Sequence, residues 1–507
     1  MGKRIAFALC GVLAAAWTGV AGPVDFAKPE LMPIPKRLAY DAKVEVSFTS
    51  NQVLRIGCPD EKSVDWAKRY LTEWFGFSPR IGRTAFDGTV AHPEGFRLVA
   101  RPDGISVQAK TLQGVRYALF ALRQALERTS AGERVEGYRM CALDLEDAPK
   151  FAFRGQHVCW FPEMSSVLIE RIIRMAAYYR FNYLVLESFG VFRSERYPWF
   201  SRTDSPMTVG EIRRLVGIAS DLGLTLVPQL QIFGHSLFAR GKSGKHNVLD
   251  THPERASLFE PANGFNWCLS NPDARRVVIG LADELHEAFG RPPYMHLGCD
   301  EADPPSCASC RARPYEELFL AQLTAVSDHL RTKGARTMIW HDKLLNADDP
   351  RWEGFQANGT AAAEALLGRL PKDIVICDWH YGKSDGQESE PKALPTLDYF
   401  KASGLDVLTC PWDDPVATMY QCRHAAKIGL FGVMGTLWNH YRGRAFAEAV
   451  MAQACAAWSA DEAPRRGYYG TLSFCTHWRQ VGWDMKVDSY REAGLTDDQT
   501  TRSILAD

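Results

Sequence analysis

Tyr294-Met295-His296-Leu297-Gly298-Cys299-Asp300-Glu301 is a short apolar run that follows a helical pattern and a Gly290-Arg291-Pro292-Pro293 turn, and it ends in two adjacent carboxylates. It reads as a buried parallel strand. Side chains alternate along a strand, so Asp300 and Glu301 point to opposite faces unless the chain is already turning out of the sheet. The pair marks the strand's carboxyl end, where α/β proteins place their chemistry because the loops there line a crevice on a rigid sheet. A solvated acidic turn is the bland alternative. It suits Asp303 better than Asp300, because Gly298 and Cys299 leave little bulk in front of the pair and imply close packing.

Outward from this strand, the same rhythm repeats. Apolar runs at 155–159, 182–187, 224–230, 337–340, 374–379, 407–410 and 430–437 alternate with helical patterns or long loops. With the 294–301 stretch they make eight β/α units over about 300 residues, the count of a closed parallel barrel. Upstream the pattern is mixed. Strands at 53–56, 95–99 and 104–109, the last two a hairpin, and helices at 64–75 and 113–126 describe a small α+β domain, and polar residues 129–140 read as a connection. The fold class is therefore α/β, a (β/α)8 TIM barrel preceded by a small α+β domain. Its divisions are 1–22, 23–140 (small domain), 141–460 (barrel) and 461–507 (an extension packed on or trailing the barrel).

Residues 1–22 have the layout of a secretory signal peptide. Lys3 and Arg4 precede an apolar run from Ile5 to Trp17, and small residues follow through Gly22. The run is too short to span a bilayer and no later stretch is long enough, so an exported, periplasmic or extracellular chain is expected. A net charge of -1 on 507 residues, with 23% charged and 46% hydrophobic, gives no electrostatic footprint for nucleic acid or an anionic membrane. Small neutral ligands are the default partners, and oligomeric state is not legible.

Most of the 13 cysteines argue against a disulfide framework. Cys159, Cys299, Cys377 and Cys410 fall in or at the end of apolar runs, where a thiol behaves as a small hydrophobe. Cys307 and Cys310 form a lone C-x-x-C in a Pro-rich loop. A zinc site needs two more ligands, and none stands at a matching spacing, so no metal is expected and a local disulfide or two loop thiols is the reading.

On a barrel the active-site residues sit at the strand ends. The eight ends carry Trp160, Glu187, Gln229 with His235 beyond, Asp300 with Glu301, Trp340 with Asp342, Trp379 with His380, Trp412 with Asp413, and Trp438 with Asn439. One tryptophan at a strand end is ordinary core. Five converging on one face describe an apolar-walled pocket, which is how sugar rings are held, with C–H faces on indoles and hydroxyls hydrogen-bonded.

His296-Leu297-Gly298-Cys299-Asp300-Glu301 resembles the H-x-G-G-D-E signature of glycoside hydrolase family 20, the β-N-acetylhexosaminidases, with Cys299 in place of the second glycine. Glu94-Gly95-Phe96-Arg97-Leu98 and Gly114-Val115-Arg116-Tyr117 in the small domain agree, as do Phe153-Arg154-Gly155 at the barrel entrance and Val227-Pro228-Gln229 with Gly234-His235. Cys299 and the C-x-x-C look nearer the hexosaminidase D branch. The resemblance implies a cofactor-free, exo-acting enzyme on terminal N-acetylglucosamine or N-acetylgalactosamine, in which the substrate's acetamido oxygen is the nucleophile. It makes Glu301 the acid and Asp300 the carboxylate that positions the acetamido group. Trp340, Trp379 and Trp438 would wall the pocket beside Trp412, Arg154 would reach sugar hydroxyls, and His235 and His296 would support.

Three departures follow. Asn439 stands where the family's eighth strand commonly carries a Glu for the 4- and 6-hydroxyls, which leaves Asp413 as the candidate. Trp412-Asp413-Asp414 replaces a seventh-strand Tyr, and Gln229 replaces a Glu. A non-catalytic amino-sugar-binding barrel and a glycosidase using two protein carboxylates stay open as alternatives.

Overall fold

The computed structural model describes residues 26–482, apart from 76, 132–133, 162–163, 189, 202–204, 206, 237–247, 261–263, 382–393, 439–442 and 461–466. The expected signal peptide, Asn439 and residues 483–507 lie outside the described residues.

Seven strands form the first sheet: β1 (Arg37–Phe48), β2 (Val53–Gly57), β3 (Arg80–Thr84), β4 (Phe96–Arg101), β5 (Gly104–Ala109), β6 (Glu127–Ala131) and β7 (Arg134–Asp147). Their order is β1-β7-β4-β5-β2-β3, with β6 paired to β7. Period-2 alternation sets the faces: Phe96, Leu98 and Ala100 of β4, and Ile105, Val107 and Ala109 of β5, are buried. Helix Leu112–Ala125 packs on that face and starts where Thr111 accepts from the Gly114 N–H. Gly114 has to be glycine, since a Cβ there would lie 2.3 Å from the Gly95 carbonyl oxygen. Residues 129–140 are not a connection. They form the β6–β7 hairpin, and β7 runs on to Asp147 in register with β4, Phe96 opposite Asp147. Residues 141–147 thus belong to the small domain's sheet and not to the barrel.

The second sheet closes on itself. β8 (Phe153–Cys159), β9 (Tyr183–Glu187), β10 (Thr225–Gln229), β11 (Tyr294–His296), β12 (Arg336–Trp340), β13 (Val375–Trp379), β14 (Asp406–Cys410) and β15 (Gly432–Leu437) form the expected barrel, in which β15 pairs back to β8. Phe153, Val185, Val227, Met338, Val375, Leu408 and Met434 fill its interior, each fully buried side chain of this size contributing roughly 1.5–3 kcal/mol. Stacked Phe153 and Tyr183, 4.3 Å apart, plug the amino end with Tyr294 and Phe431. Trp340, Trp379 and Trp438 pack at the other end. The barrel's inside is a solid core under a crevice.

The last described helix, Gly467–Gly482, packs on helix Ser166–Tyr178. Arg171 donates to the Trp478 carbonyl at 2.7 Å, Tyr178 to Gln480 at 2.6 Å, and Arg123 of the small domain to the Gln480 carbonyl. A fully buried Arg180–Asp147 pair at 2.9 Å joins the two sheets. No helix among the described residues is long and apolar enough to cross a membrane.

Candidate active site

β11 is only three residues long because the chain leaves the sheet at once. Gly298, Cys299 and Glu301 have φ of +66°, +83° and +45°, a left-handed run that is costly for non-glycine residues and persists where the surroundings enforce it. Gly298 tolerates no side chain, since a Cβ would lie 1.7 Å from Gln231 Oε1. The φ of Cys299 accounts for a second glycine in the resembling motif. The turn brings both carboxylates to one place: a ligand atom of each lies within 4.8 Å of the other's and of His235.

The two are held differently. Asp300 is 7% exposed and accepts at Oδ1 from Gln231 Nε2 at 3.0 Å. The same amide nitrogen donates to Glu187 at 2.8 Å, and Glu187 pairs with His157 at 3.0 Å. Burial raises the Asp300 pKa to about 7, with Asp342 and Glu187 adding to the rise and His235 opposing it. The Glu301 side chain is 50% exposed and stands 3.4 Å from His235, which lies 3.7 Å from Asp300. Burial disfavours a charged His235, but Glu301, Asp300 and Glu187 outweigh it and hold its pKa up at about 9. His235 thus stands between the two carboxylates, which favour its charged form. The Glu301 backbone N–H donates to Asp342 Oδ2 at 3.0 Å, and Asn358 fixes the same oxygen at 2.9 Å.

Aromatic rings continue the wall. Trp340 lies 5.4 Å from Trp438, and His157 and His296 pack on it. Trp379, Tyr381 and Trp412 follow in sequence, with Tyr381 5.1 Å from the first and 5.2 Å from the second indole. The Trp438 indole N–H donates to the Tyr381 hydroxyl at 2.5 Å. His296 is fully buried, and burial drives its pKa well down; its neutral ring accepts from the Gly298 N–H at 3.0 Å.

Of the residues singled out from the sequence, Asp300, Glu301, His235, Trp340, Trp379, Trp412 and Trp438 come together at the barrel's carboxyl end. Asp413 is exposed just beyond Trp412. Arg154 is a correction. It is the second residue of β8, at the opposite end, 1% exposed, and its guanidinium is engaged by Glu94, the Tyr117 hydroxyl and the Phe151 and Arg180 carbonyls. It ties the barrel to the small domain and cannot reach a sugar. Gln231, Tyr381 and the anchoring role of Asp342 went unseen. All three stand two residues past a strand end, after Gln229, Trp340 and Trp379, so the signal that could have found them was position alone. The C-x-x-C also has partners after all: Cys268 and Glu260 lie against Cys307 and Cys310.

Residues 28–148 match the family model described as glycosyl hydrolase family 20, domain 2. A β-hexosaminidase of Porphyromonas gingivalis is 24% identical over 315 residues, 53% of this chain and 39% of that protein. Hexosaminidase D of Bos taurus is 24% identical over 256 residues, 48% of this chain and 63% of that protein. The chain therefore spans less than two thirds of the length of these relatives. The exo β-N-acetylglucosaminidase of Vibrio harveyi, a GH20 structure in complex with N-acetylglucosamine, shares the fold at a TM-score of 0.66 and 17% identity, covering 93% of this chain and 80% of that one. The family resemblance read from the sequence is borne out by these matches.

Proposed function

We propose that this chain, which carries domain 2 of glycoside hydrolase family 20 ahead of a barrel with the fold of that family's solved members, is an exo-acting β-N-acetylhexosaminidase working by substrate-assisted, retaining catalysis. The observation that carries the reading is the pairing of a buried Asp300 with a half-exposed Glu301, within 4.8 Å of each other, beside a wall of indoles.

The two carboxylates are adjacent in sequence on one loop and share one imidazole, which suits a positioning group beside an acid better than a nucleophile and an acid on opposite faces of a sugar. The acetamido oxygen of the substrate supplies the nucleophile. Asp300, ionised, accepts the acetamido N–H and stabilises the positive charge that develops as the oxazolinium ring closes. Glu301 donates its proton to the departing glycosidic oxygen, then takes one from the water that reopens the ring. Tyr381 is the candidate for the acetamido oxygen: its hydroxyl lies among the indoles, where it accepts from the Trp438 N–H and meets the Thr436 hydroxyl. Export through residues 1–22 is part of the same proposal.

The test is hydrolysis of the 4-nitrophenyl N-acetyl-β-D-glucosaminide and galactosaminide by wild type and Glu301→Gln. Turnover should fall by about 10²–10⁴-fold in the variant, and a thiazoline mimic of the oxazolinium should inhibit the wild type. Binding of N-acetylhexosamine without turnover points to a lectin-like barrel, and turnover insensitive to the thiazoline points to a two-carboxylate glycosidase.

A further inference from the structure

Beyond the carboxylate pair lies a second cluster that the proposed reaction does not use. Cys268, in the loop after β10, and Cys307 and Cys310, in the loop that leaves Glu301, come together with Glu260 so that one ligand atom of each lies within 4.8 Å of the others. Cys268 Sγ is 3.8 Å from both Cys307 Sγ and Cys310 Sγ. A disulfide needs about 2.05 Å. Thiolates bound tetrahedrally to zinc at about 2.3 Å stand about 3.8 Å apart.

Glu260 supplies an independent observation. It is 5% exposed, and its Oε2 accepts from the backbone N–H groups of Ser306 at 2.8 Å and Cys307 at 2.7 Å. The other oxygen, Oε1, is buried, and the groups facing this carboxylate from the side-chain direction are the Cys310 and Cys307 thiols. A buried carboxylate oxygen left over beside three thiols is a ligand atom in waiting, and the backbone donors orient it as an outer shell does. The Cys310 N–H donates to Cys307 Sγ at 3.3 Å, which holds that sulfur in place.

We propose that Cys268, Cys307, Cys310 and Glu260 bind one zinc-class divalent cation with closed, tetrahedral coordination. With four protein ligands no position is left for water or substrate, so the role is structural. On binding, each thiol gives up its proton to solvent and its sulfur lone pair to the metal. The clamp joins two loops already linked by Asn266, whose side chain pairs with the Asp303 backbone at 2.8 and 3.3 Å. Those loops hold the segment that follows Glu301. The inference stands apart from the assigned activity.

The experiment is metal analysis of the full-length, untagged protein by plasma mass spectrometry, with wild type, Cys310→Ser and Glu260→Gln. Wild type should carry about one zinc per chain through dialysis, and the reduced, metal-stripped protein titrated with Co²⁺ should develop thiolate-to-cobalt charge-transfer absorption. Cys310→Ser should lose both, and Glu260→Gln should release zinc to a chelator at least tenfold faster. Because wild type itself is measured, a misfolded variant does not obscure the answer. Failure of reduced wild type to take up Zn²⁺ or Co²⁺ would overturn the proposal. So would a disulfide among these three cysteines in the unreduced protein, seen as a loss of two hydrogens, or full zinc content in Cys310→Ser.

Discussion

Replacing His235 with glutamine removes a positive charge while keeping a polar group of similar size, and its effect can be worked out from the geometry. His235 Nε2 lies 3.7 Å from Asp300 Oδ2, with 24% and 10% of the two side chains exposed. At that separation the attraction is about 1 kcal/mol if fully screened and about 4.5 kcal/mol at an effective dielectric of about 20. At about 1.4 kcal/mol per pKa unit, losing it raises the Asp300 pKa by about 1–3 units. In the wild type that pKa stands at about 7. The mechanism needs Asp300 ionised, so activity rises with pH through this value and the acidic limb of kcat/KM, which reports the free enzyme, marks it. A shift of about one unit puts His235→Gln about tenfold below wild type at pH 6, with the gap closing to about twofold at pH 8. The assay is kcat/KM on the nitrophenyl N-acetylglucosaminide from pH 5 to 9, with thermal melts at each pH to exclude unfolding. A variant profile parallel to wild type at a constant ratio refutes the reasoning, because it would mean that His235 does not set the charge of Asp300.

Tyr381→Phe should lower kcat by about 10–100-fold, roughly 1.4–2.7 kcal/mol, with little change in KM, since the lost hydroxyl acts on charge formed late; an unchanged kcat removes Tyr381 from the site. Asp413→Ala should raise KM severalfold and leave kcat near wild type if the exposed rim carboxylate binds sugar hydroxyls. An unaltered KM would assign it to the surface.

The barrel was legible because its strands are buried on both faces and read as uninterrupted apolar runs, as at Val433-Met434 and Ile374-Val375-Ile376. β1 was not. Its burial alternates only weakly, and Arg37, Asp41, Lys43 and Glu45 punctuate it, so a half-solvated strand looks like loop. The hairpin at 127–147 was hidden for a similar reason, since Glu127, Arg128, Thr129 and Arg139 interrupt any apolar run and Gly137 reads as a turn. Within the site, Asp300 and Glu301 were visible because a carboxylate pair ending an apolar run is rare. Arg154 was misplaced because a motif says which residues neighbour each other in sequence, while the end of the strand a residue occupies depends on where the strand starts. Cys268 is separated from Cys307 by 39 positions, and spacing rules built on compact zinc motifs do not bridge a helix and a strand.

The helix Gly467–Gly482 bears on how the molecule is made. Arg123 of the small domain reaches the Gln480 carbonyl across 357 positions, and Arg171, Tyr178 and Tyr179 meet Trp478, Gln480 and His477 across about 300. During synthesis the first domain leaves the ribosome long before these partners exist. The face around Arg123 has to wait, unsealed, until residue 480 has been translated. Translational pausing or a stop codon near position 460 would therefore release a chain with every barrel strand present and the surface around Arg123, Arg171 and Tyr178 uncovered.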